Sequence, residues 1–417
     1  MRAVSFDVSV PRFLLAKSLG RVSDAAFFGA PSGLRLLEAD LPPLPGDRWL
    51  RLEVVKAGIC GTDIGNLTYS ASPAMEPFGS FPAVLGHEIL ATVRERGSAV
   101  TGFEVGQRVA VDPMLSCTVR GYGDPCPSCA AGRHSTCERA GEEGPERIGG
   151  EPFAPGLTQG YHRSLPGGWS EEILVHQDQV FPVDDGLEDH AAVLIEPLAV
   201  GMHAVLNAPP RNDAEPALVL GSGPIALGTV WALRATGFEG EIYAQTKREH
   251  EARLARLMGA SQVVSPGAEA REALVGTGAQ AYMPIVGDEV YSGGGFPLIF
   301  DCVGSGQTLS QAMRYATPRG RIVMLGCAAE IPKLDLTFIW ARELTVHGFV
   351  GYGREHFRGR TAHTFEIAHD LLLETGTPVQ EMVTHVYPLG QYRTALDAAA
   401  NRRRTGSVKV LLDPRAG

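Results

Sequence analysis

Residues 217–228 place an apolar run, a glycine-rich turn and a helical pattern in immediate succession, in the sequence ALVLGSGPIALG. Short apolar runs then alternate with longer helical periods, and strands are predicted at 241–244, 298–302, 321–325 and 344–348. Such alternation is typical of βαβ units built around a parallel sheet. The segments 276–287 and 292–296 are predicted to be loops.

The first half of the chain follows a different pattern. Between residues 34 and 183, short β-rich runs such as 52–55, 109–111 and 173–175 are separated by Gly, Pro and Asp. This predicts an irregular, mostly β domain. Farther on, residues 364–373 are predicted to form a helix and 408–412 a strand, and the final stretch is expected to rejoin the first domain.

Composition and charge exclude several classes of protein. The formal charge of −10 over 417 residues disfavours a nucleic-acid partner, and the basic triplet at 402–404 is interpreted as a solvated turn. No stretch approaches the roughly 18 apolar residues of a membrane span, so no membrane partner is expected. The first residues form a predicted strand rather than a targeting segment, and a soluble cytoplasmic protein is expected.

Four of the seven cysteines lie within 21 residues. Cys126 and Cys129 form a CxxC pair, Cys137 follows, and Cys117 lies upstream. Because Zn²⁺ in a structural site favours a closed tetrahedron of thiolates, this lobe predicts a structural zinc, the alternative being a metal-free lobe with Cys117 unbound. Cys302 and Cys327 follow apolar runs and are interpreted as small buried hydrophobic residues.

A second set of metal-binding residue types is spread along the chain. Cys60 lies in GICGTD, His87 and Glu88 in GHE, and Glu196 begins EPLAVGMHA. Each is weak evidence alone, since a single histidine or glutamate is more often structural. Together they offer thiolate, imidazole and carboxylate, a mixed set that can hold zinc while leaving a position open for water or substrate.

In their order and separations, these motifs resemble the zinc-containing medium-chain dehydrogenase/reductase family, in its polyol- and threonine-dehydrogenase-like branch. The resemblance implies an α/β fold with a GroES-like, mostly β catalytic domain and a Rossmann doubly wound parallel-sheet cofactor domain. The expected boundaries are 1–197 for the catalytic domain, with the cysteine lobe at about 113–140, 198–349 for the Rossmann domain, and 350–417 for the return to the catalytic domain.

The resemblance also implies residue roles at the catalytic zinc. Cys60 and His87 would be ligands, Glu88 a ligand or a close neighbour of the metal, and Glu196 the fourth ligand, ranked below the first two. Asp63 would accept the second ring N–H of His87, and Thr62 would place its hydroxyl against the substrate oxygen. Gly65 stands where many relatives have a relay histidine, so the proton route beyond Thr62 is open.

The glycine turn is expected to bind a dinucleotide. Gly221 permits the tight turn and Gly223 the close approach of the pyrophosphate, with Ser222, Pro224 and Ile225 around it. Thr246 occupies the position at which NAD-dependent enzymes usually have an acidic residue. Lys247 and Arg248 follow, which favours NADP(H) over NAD(H) unless both are ordinary exposed residues. Arg342 and Lys409 are either pyrophosphate contacts or surface charges.

Three segments concern substrate access and assembly. About 20 residues at 9–30 are inserted relative to the family, and a surface hairpin with an apolar anchor is expected there, the alternatives being an active-site lid or an oligomer contact. Residues 64–69 and 159–163 are expected to shape the pocket. A homodimer or homotetramer is expected from the resemblance alone.

The sequence therefore predicts a zinc-dependent enzyme that transfers a hydride between NADP(H) and a secondary alcohol or ketone, such as a polyol, an amino alcohol or a biosynthetic intermediate. Its partner would be a small alcohol or carbonyl compound. Two alternatives stay open: a zinc-independent enoyl or quinone reductase of the same fold, and a non-catalytic NADPH-binding or structural zinc protein.

Overall fold

The computed structural model describes residues 1–327 and 329–416. A parallel six-stranded sheet forms the centre of the second half of the chain. Its strands are, in spatial order, Gln262–Val264, Ile242–Gln245, Ala217–Leu220, Phe296–Asp301, Ala316–Met324 and Thr345–Gly348. All four residues of Ala217–Leu220 are buried, as expected for a parallel strand covered by helices on both faces.

Five helices accompany this sheet: Pro224–Ala235, Glu249–Leu257, Ala268–Gly276, Gly306–Tyr315 and Thr337–Ala341. The longer helix Ile195–Asn207 packs against Pro224–Ala235 on one side and against Thr364–Thr375 on another. Buried residues of these three helices share one hydrophobic cluster with the sheet residues Val219 and Phe300. The parallel sheet predicted from the alternating pattern, and the Rossmann domain that the resemblance implies, are therefore confirmed.

The first half of the chain is mostly β. A seven-stranded sheet runs in the order Val180–Pro182, Arg108–Val111, Ile89–Arg96, Trp49–Gly58, Lys409–Asp413 and Val383–Pro388, with Glu172–His176 also paired to Trp49–Gly58. A three-stranded sheet contains Leu34–Glu38, Arg2–Phe6 and Ala83–Val84. Because Lys409–Asp413 pairs with Trp49–Gly58, the end of the chain lies within the first sheet.

The remaining elements are short. The other α-helices are Val10–Gly20, Gly61–Leu67, Pro127–Ala130, Asp189–Ala192, Tyr392–Ala400 and Arg402–Thr405. The 3₁₀ helices are Asp24–Phe28, Ala30–Ser32, Pro73–Phe78, His134–Thr136, Gln177–Gln179, Val379–Met382 and Leu389–Gln391. Three two-stranded pairs are Gly144–Ile148 with Glu151–Phe153, Gln280–Tyr282 with Val290–Ser292, and Arg354–Phe357 with Arg360–His363. Within the described residues, no helix is long and apolar enough to cross a membrane.

Two local predictions were wrong. The inserted segment is not a hairpin but the helix Val10–Gly20, followed by 3₁₀ turns. Pro11 occupies the helix start, where its missing N–H costs nothing, and Phe28 anchors the segment in the first domain's core. The predicted loops 276–287 and 292–296 are not all loop either, because Gln280–Tyr282 pairs with Val290–Ser292, which buries Tyr291, and Phe296 begins a central strand.

Candidate active site and metal clusters

The donor atoms of Cys60, His87 and Glu88 lie within 4.8 Å of one another. Two neighbouring strands bring them together, since Trp49–Gly58 leads into Cys60 while Glu88 directly precedes Ile89–Arg96. The Gly58 N–H donates to the Glu88 carbonyl at 2.9 Å, which aligns the two strand ends. A thiol, an imidazole and a carboxylate are thus gathered as the sequence predicts, a donor set suited to Zn²⁺.

Asp63 organises the loop around Cys60. Its Oδ2 accepts the Cys60 backbone N–H at 2.9 Å and so caps the helix Gly61–Leu67, while its Oδ1 lies 3.5 Å from His87 Nδ1. Tyr161 completes this group, donating its hydroxyl to Asp63 Oδ1 at 2.6 Å and lying 3.3 Å from His87 Nδ1. The sequence placed Tyr161 in a pocket segment but gave it no such role.

The charges around His87 act on the pKa of its imidazole. Burial opposes a charged ring, but the Asp63 carboxylate and the Cys60 thiol together raise the pKa of His87 well above its usual value. A bound cation would compete with that proton, because a metal ligand must be the neutral imidazole.

Glu88 forms a buried ion pair. Both of its carboxylate oxygens contact Lys409 Nζ, at 2.6 and 2.5 Å, and each side chain is only 2% exposed. Gly58 makes room for this carboxylate, since a Cβ at Gly58 would lie 1.7 Å from Glu88 Oε2. Lys409 is therefore neither a pyrophosphate contact nor a surface charge, because its ammonium is buried beside Glu88 and the Ile59 carbonyl.

Glu196 approaches from the second half of the chain. It lies in the first turn of Ile195–Asn207, is 7% exposed, and accepts a hydrogen bond from the Tyr352 hydroxyl at 3.1 Å. Burial raises its pKa to about 7. It stands outside the trio of Cys60, His87 and Glu88. Tyr352 is a second residue that sequence reasoning missed, because nothing near it in sequence marks it as a partner of Glu196.

Thr62 faces the cofactor half of the molecule. Its Oγ1 lies 3.7 Å from Cys60 Sγ and 3.8 Å from Cys327 Sγ. Cys327 is exposed, so its interpretation as a buried hydrophobic residue was wrong. It lies just beyond the carboxyl end of the central strand Ala316–Met324. Cys302 fits that interpretation better, since its thiol contacts Thr229 and burial raises its pKa to about 12.

The four cysteines of the lobe form a second cluster. Cys117, Cys126, Cys129 and Cys137 are all buried, and their sulfur atoms lie within 4.8 Å of one another. Backbone N–H groups donate to three of these sulfur atoms. The Cys117 N–H donates to Cys129 Sγ at 3.5 Å, the Cys126 N–H to Cys117 Sγ at 3.3 Å, and the Cys129 N–H to Cys126 Sγ at 3.5 Å. Such donors stabilise thiolates, which fits a closed structural zinc site.

A third group joins Asp112, His134 and His363, which the sequence did not predict. His363 Nδ1 accepts the Phe365 N–H at 3.2 Å, which leaves the proton of a neutral ring on Nε2. Nε2 faces Asp112 Oδ2 at 3.3 Å. This tautomer offers no free lone pair to a metal, so the group is better described as a buried His–Asp contact.

The glycine turn has the geometry expected for dinucleotide binding. Gly221 has φ +124°, a conformation that favours glycine, and Gly223 precedes Pro224 at the start of the helix Pro224–Ala235. Ser222 lies between the two glycines, and Ile225 is half-buried in the first helical turn. The glycine loop therefore leads directly into the N-terminus of this helix, which is the arrangement that binds a phosphate.

The predicted ribose-recognition residues follow the neighbouring strand Ile242–Gln245. Thr246 is 4% exposed, and the Lys247 backbone N–H donates to Glu251 Oε2 at 3.2 Å. Arg248 Nη1 lies 2.7 Å from Glu251 Oε1. Arg248 is therefore held by a carboxylate rather than free in solvent.

Two arginines lie elsewhere than expected. Arg342 donates to the carbonyls of Arg314 and Ala316, inside the second domain, and is neither a free surface charge nor at the glycine turn. Arg402 is not in a solvated turn, since its Nη2 donates to the Ser222 carbonyl at 3.1 Å. In the segment 159–163, Gln159 and His162 are fully buried and only Tyr161 reaches the Cys60 cluster.

Comparisons with known proteins agree with this geometry. Residues 46–185 match the model of the alcohol dehydrogenase GroES-like domain, and residues 224–366 match that of the zinc-binding dehydrogenases. An L-threonine 3-dehydrogenase from Deinococcus radiodurans is 26% identical over 381 residues, 91% of this chain and 94% of that protein. An L-galactonate-5-dehydrogenase from Escherichia coli is 29% identical over 338 residues, 78% and 85% of the two chains.

A solved structure extends the likeness to the whole fold. A putative zinc-binding dehydrogenase from Sinorhizobium meliloti, bound to NADP, is 27% identical with a TM-score of 0.69 over 99% of both chains. The 2R,3R-butanediol dehydrogenase from Bacillus subtilis superposes with a TM-score of 0.70 over 99% of both chains at 21% identity, which shows a shared fold.

A GroES-like domain joined to a Rossmann domain, with a thiol–imidazole–carboxylate cluster and a four-cysteine lobe, defines a zinc-type alcohol oxidoreductase. The chain belongs to the zinc-containing medium-chain dehydrogenases, with polyol- and threonine-dehydrogenase relatives, and uses zinc and a nicotinamide cofactor.

Proposed function

We propose that this protein transfers a hydride between NADP(H) and a secondary alcohol or ketone of the polyol or amino-alcohol class, at a zinc held by Cys60, His87 and Glu196. The observation that carries the proposal is the gathering of Cys60 and His87, with Glu88 beside them, within 4.8 Å. Glu196 lies close enough to this cluster for the charges of His87 and Glu88 to act on its pKa. Relatives that act on L-threonine and L-galactonate support a hydroxylated substrate.

Bound zinc would supply a Lewis acid for the substrate oxygen, and the nicotinamide would supply or accept the hydride. The residues of this chain do the positioning. Asp63 and Tyr161 fix the His87 ring, and the Lys409 ammonium holds the Glu88 carboxylate beside it. Because both Glu88 oxygens contact Lys409, Glu88 would act as a charged neighbour of the metal. Glu196, hydrogen-bonded to Tyr352 through Oε1, would supply the carboxylate ligand.

Thr62 would bind the proton of the substrate oxygen. Its hydroxyl, beside Cys60, is placed to hold the proton of the substrate oxygen during hydride transfer. Cys327 Sγ lies 3.8 Å from the same hydroxyl and so limits the space beside it. The four-cysteine lobe would hold its zinc without an open position, so it takes no part in the reaction.

Metal analysis with a Cys60→Ala variant tests the catalytic assignment. The native chain should hold about two zinc ions, and the variant about one, with the lobe intact. Turnover should fall by roughly 10³-fold or more, because several kcal/mol of transition-state stabilisation is lost. NADPH binding should remain. Cys302→Ala is the control and should keep both ions, because this half-buried cysteine belongs to neither metal cluster and its thiol contacts Thr229. Full activity of Cys60→Ala would refute the mechanism.

Cofactor choice is tested by kinetics with both nicotinamide cofactors. The native chain should show the higher kcat/KM with NADP(H), and Arg248→Ala should lose about tenfold of that value while NAD(H) kinetics change little, because a charge-assisted hydrogen bond to a phosphate is removed. A native preference for NAD(H) that Arg248→Ala leaves unchanged would reject this part of the proposal.

A further inference from the structure

At the ribose-recognition end of the cofactor site, the positive charge of Arg248 predicted from the local sequence is offset by a neighbouring carboxylate. Arg248 is paired with Glu251 at 2.7 Å, and Glu251 is only 1% exposed. Burial alone would raise the pKa of Glu251, but a hydrogen bond from Ser222 and the charge of Arg402 hold it below its usual value. Glu251 is therefore ionised at neutral pH, and it cancels the cation of Arg248.

A second cation reaches the same carboxylate from the far end of the chain. Arg402 Nη2 lies 3.3 Å from Glu251 Oε1 and 3.1 Å from the Ser222 carbonyl oxygen. Its Nε donates to the Ser407 carbonyl at 3.1 Å, which fixes the guanidinium plane. With Arg402 in place, Lys247, Arg248 and Arg402 outweigh Glu251 by two positive charges.

One edge of this guanidinium remains available. Arg402 Nη1 has no hydrogen bond among the described residues and lies 3.4 Å from the position that a Cβ on Gly223 would take. The bare face of Gly223 is where the backbone leaves room for the cofactor. A phosphate oxygen in that space would meet a donor that is already oriented, which lowers the entropic cost of binding.

We propose that Arg402 is a specificity-determining residue for NADP(H): it neutralises Glu251, frees the charge of Arg248 for the 2′-phosphate, and adds its own positive charge to the site. The inference rests on the NADP(H) choice under Proposed function and extends it to a residue of the C-terminal segment. Without Arg402, Lys247 and Arg248 would outweigh Glu251 by only one positive charge, and a 2′-phosphate would lose much of its advantage over the 2′-hydroxyl.

Binding measurements on the zinc-loaded full-length chain test this role. NADPH and NADH are titrated separately, with nucleotide fluorescence as the readout, into the native chain, Arg402→Ala and the control Arg403→Ala. Arg403 is the exposed neighbour in the same helix. Arg402→Ala should raise the Kd for NADPH by about 30-fold and that for NADH by less than about threefold, while Arg403→Ala changes neither.

Two further variants separate charge from folding. Arg402→Gln keeps a donor for the Ser222 carbonyl but lacks the charge, and it should lose NADPH affinity as Arg402→Ala does. Adding Glu251→Gln to Arg402→Ala removes the unbalanced carboxylate and should recover at least about threefold of the lost affinity.

Each contrary outcome has a distinct meaning. Equal weakening of NADPH and NADH would overturn the 2′-phosphate assignment, since it would place Arg402 at the pyrophosphate or in the fold alone. Unchanged NADPH affinity in Arg402→Ala, with a native preference for NADPH, would overturn the inference while leaving the proposed function intact. A native chain that prefers NADH would overturn the proposed cofactor and this inference together.

Discussion

The two metal clusters are built in opposite ways. The lobe takes all four of its thiols from residues 117–137, and its own tight turns bring them together. The Cys60 cluster takes its donors from Cys60, His87 and Glu88 and is supported by Tyr161, Tyr352 and Lys409, which span most of the chain. The lobe can therefore form locally, whereas the Cys60 cluster exists only when distant strands of the seven-stranded sheet have paired.

Tyr352 connects the four-cysteine lobe to the region of the Cys60 cluster. The Tyr352 backbone N–H donates to Ser135 Oγ at 3.0 Å, and Ser135 Oγ donates back to the Tyr352 carbonyl at 2.8 Å, while the Tyr352 hydroxyl holds Glu196. Ser135 lies in the lobe, two residues before Cys137. Through Tyr352, the lobe thus helps to position Glu196, the carboxylate proposed to bind the catalytic zinc. This division of tasks can be tested.

The largest expected effect is on the lobe. Cys129→Ser should remove its zinc and lower the free energy of unfolding by more than about 4 kcal/mol, since loss of a metal belongs to the most destabilising class of substitutions. Denaturant titration and metal analysis measure both quantities. Thr136→Ala, an exposed change in the same lobe, should be nearly neutral. A variant with one zinc but native stability would show that the lobe is not structural.

Removing the ammonium that holds Glu88 should have the next largest effect. Lys409→Met leaves a buried carboxylate without its partner and should cost about 3 kcal/mol of unfolding free energy. Adding Glu88→Gln should recover most of that loss. Lys56→Met, which breaks the partly exposed ion pair with Asp413 on the strand that also carries Lys409, should cost only about 1 kcal/mol. Equal losses for both lysines would argue against a special role for the buried pair.

Tyr352→Phe should have the smallest effect, confined to the Cys60 cluster. Losing one hydrogen bond to a carboxylate should lower kcat about tenfold, with two zinc ions retained and stability changed by about 1 kcal/mol. Steady-state kinetics and metal analysis measure these changes, and Tyr282→Phe at an exposed site serves as the comparison. Loss of the lobe zinc in Tyr352→Phe would mean that the two clusters are not independent.

Several parts of the two metal clusters and of the cofactor site could be predicted from short stretches of sequence. The CxxC pair, the turn GSGPIALG and the motifs around Cys60 and His87 each lie on one element, and the structure places them as those patterns predict. The inserted helix Val10–Gly20 was misjudged because apolar residues in a short segment do not distinguish a hairpin from a helix.

The two-part fold, the residue types at both clusters and the dinucleotide turn could be predicted from local sequence, because hydrophobic periodicity, glycine conformation and close ligand spacing are local properties. The partners of those residues became known from the folded chain alone. Lys409 beside Glu88, Tyr352 on Glu196, Tyr161 on Asp63 and Arg402 on Glu251 are contacts between residues 98 to 321 positions apart. Such pairs leave no local pattern, since burial and strand order, rather than spacing, bring them together.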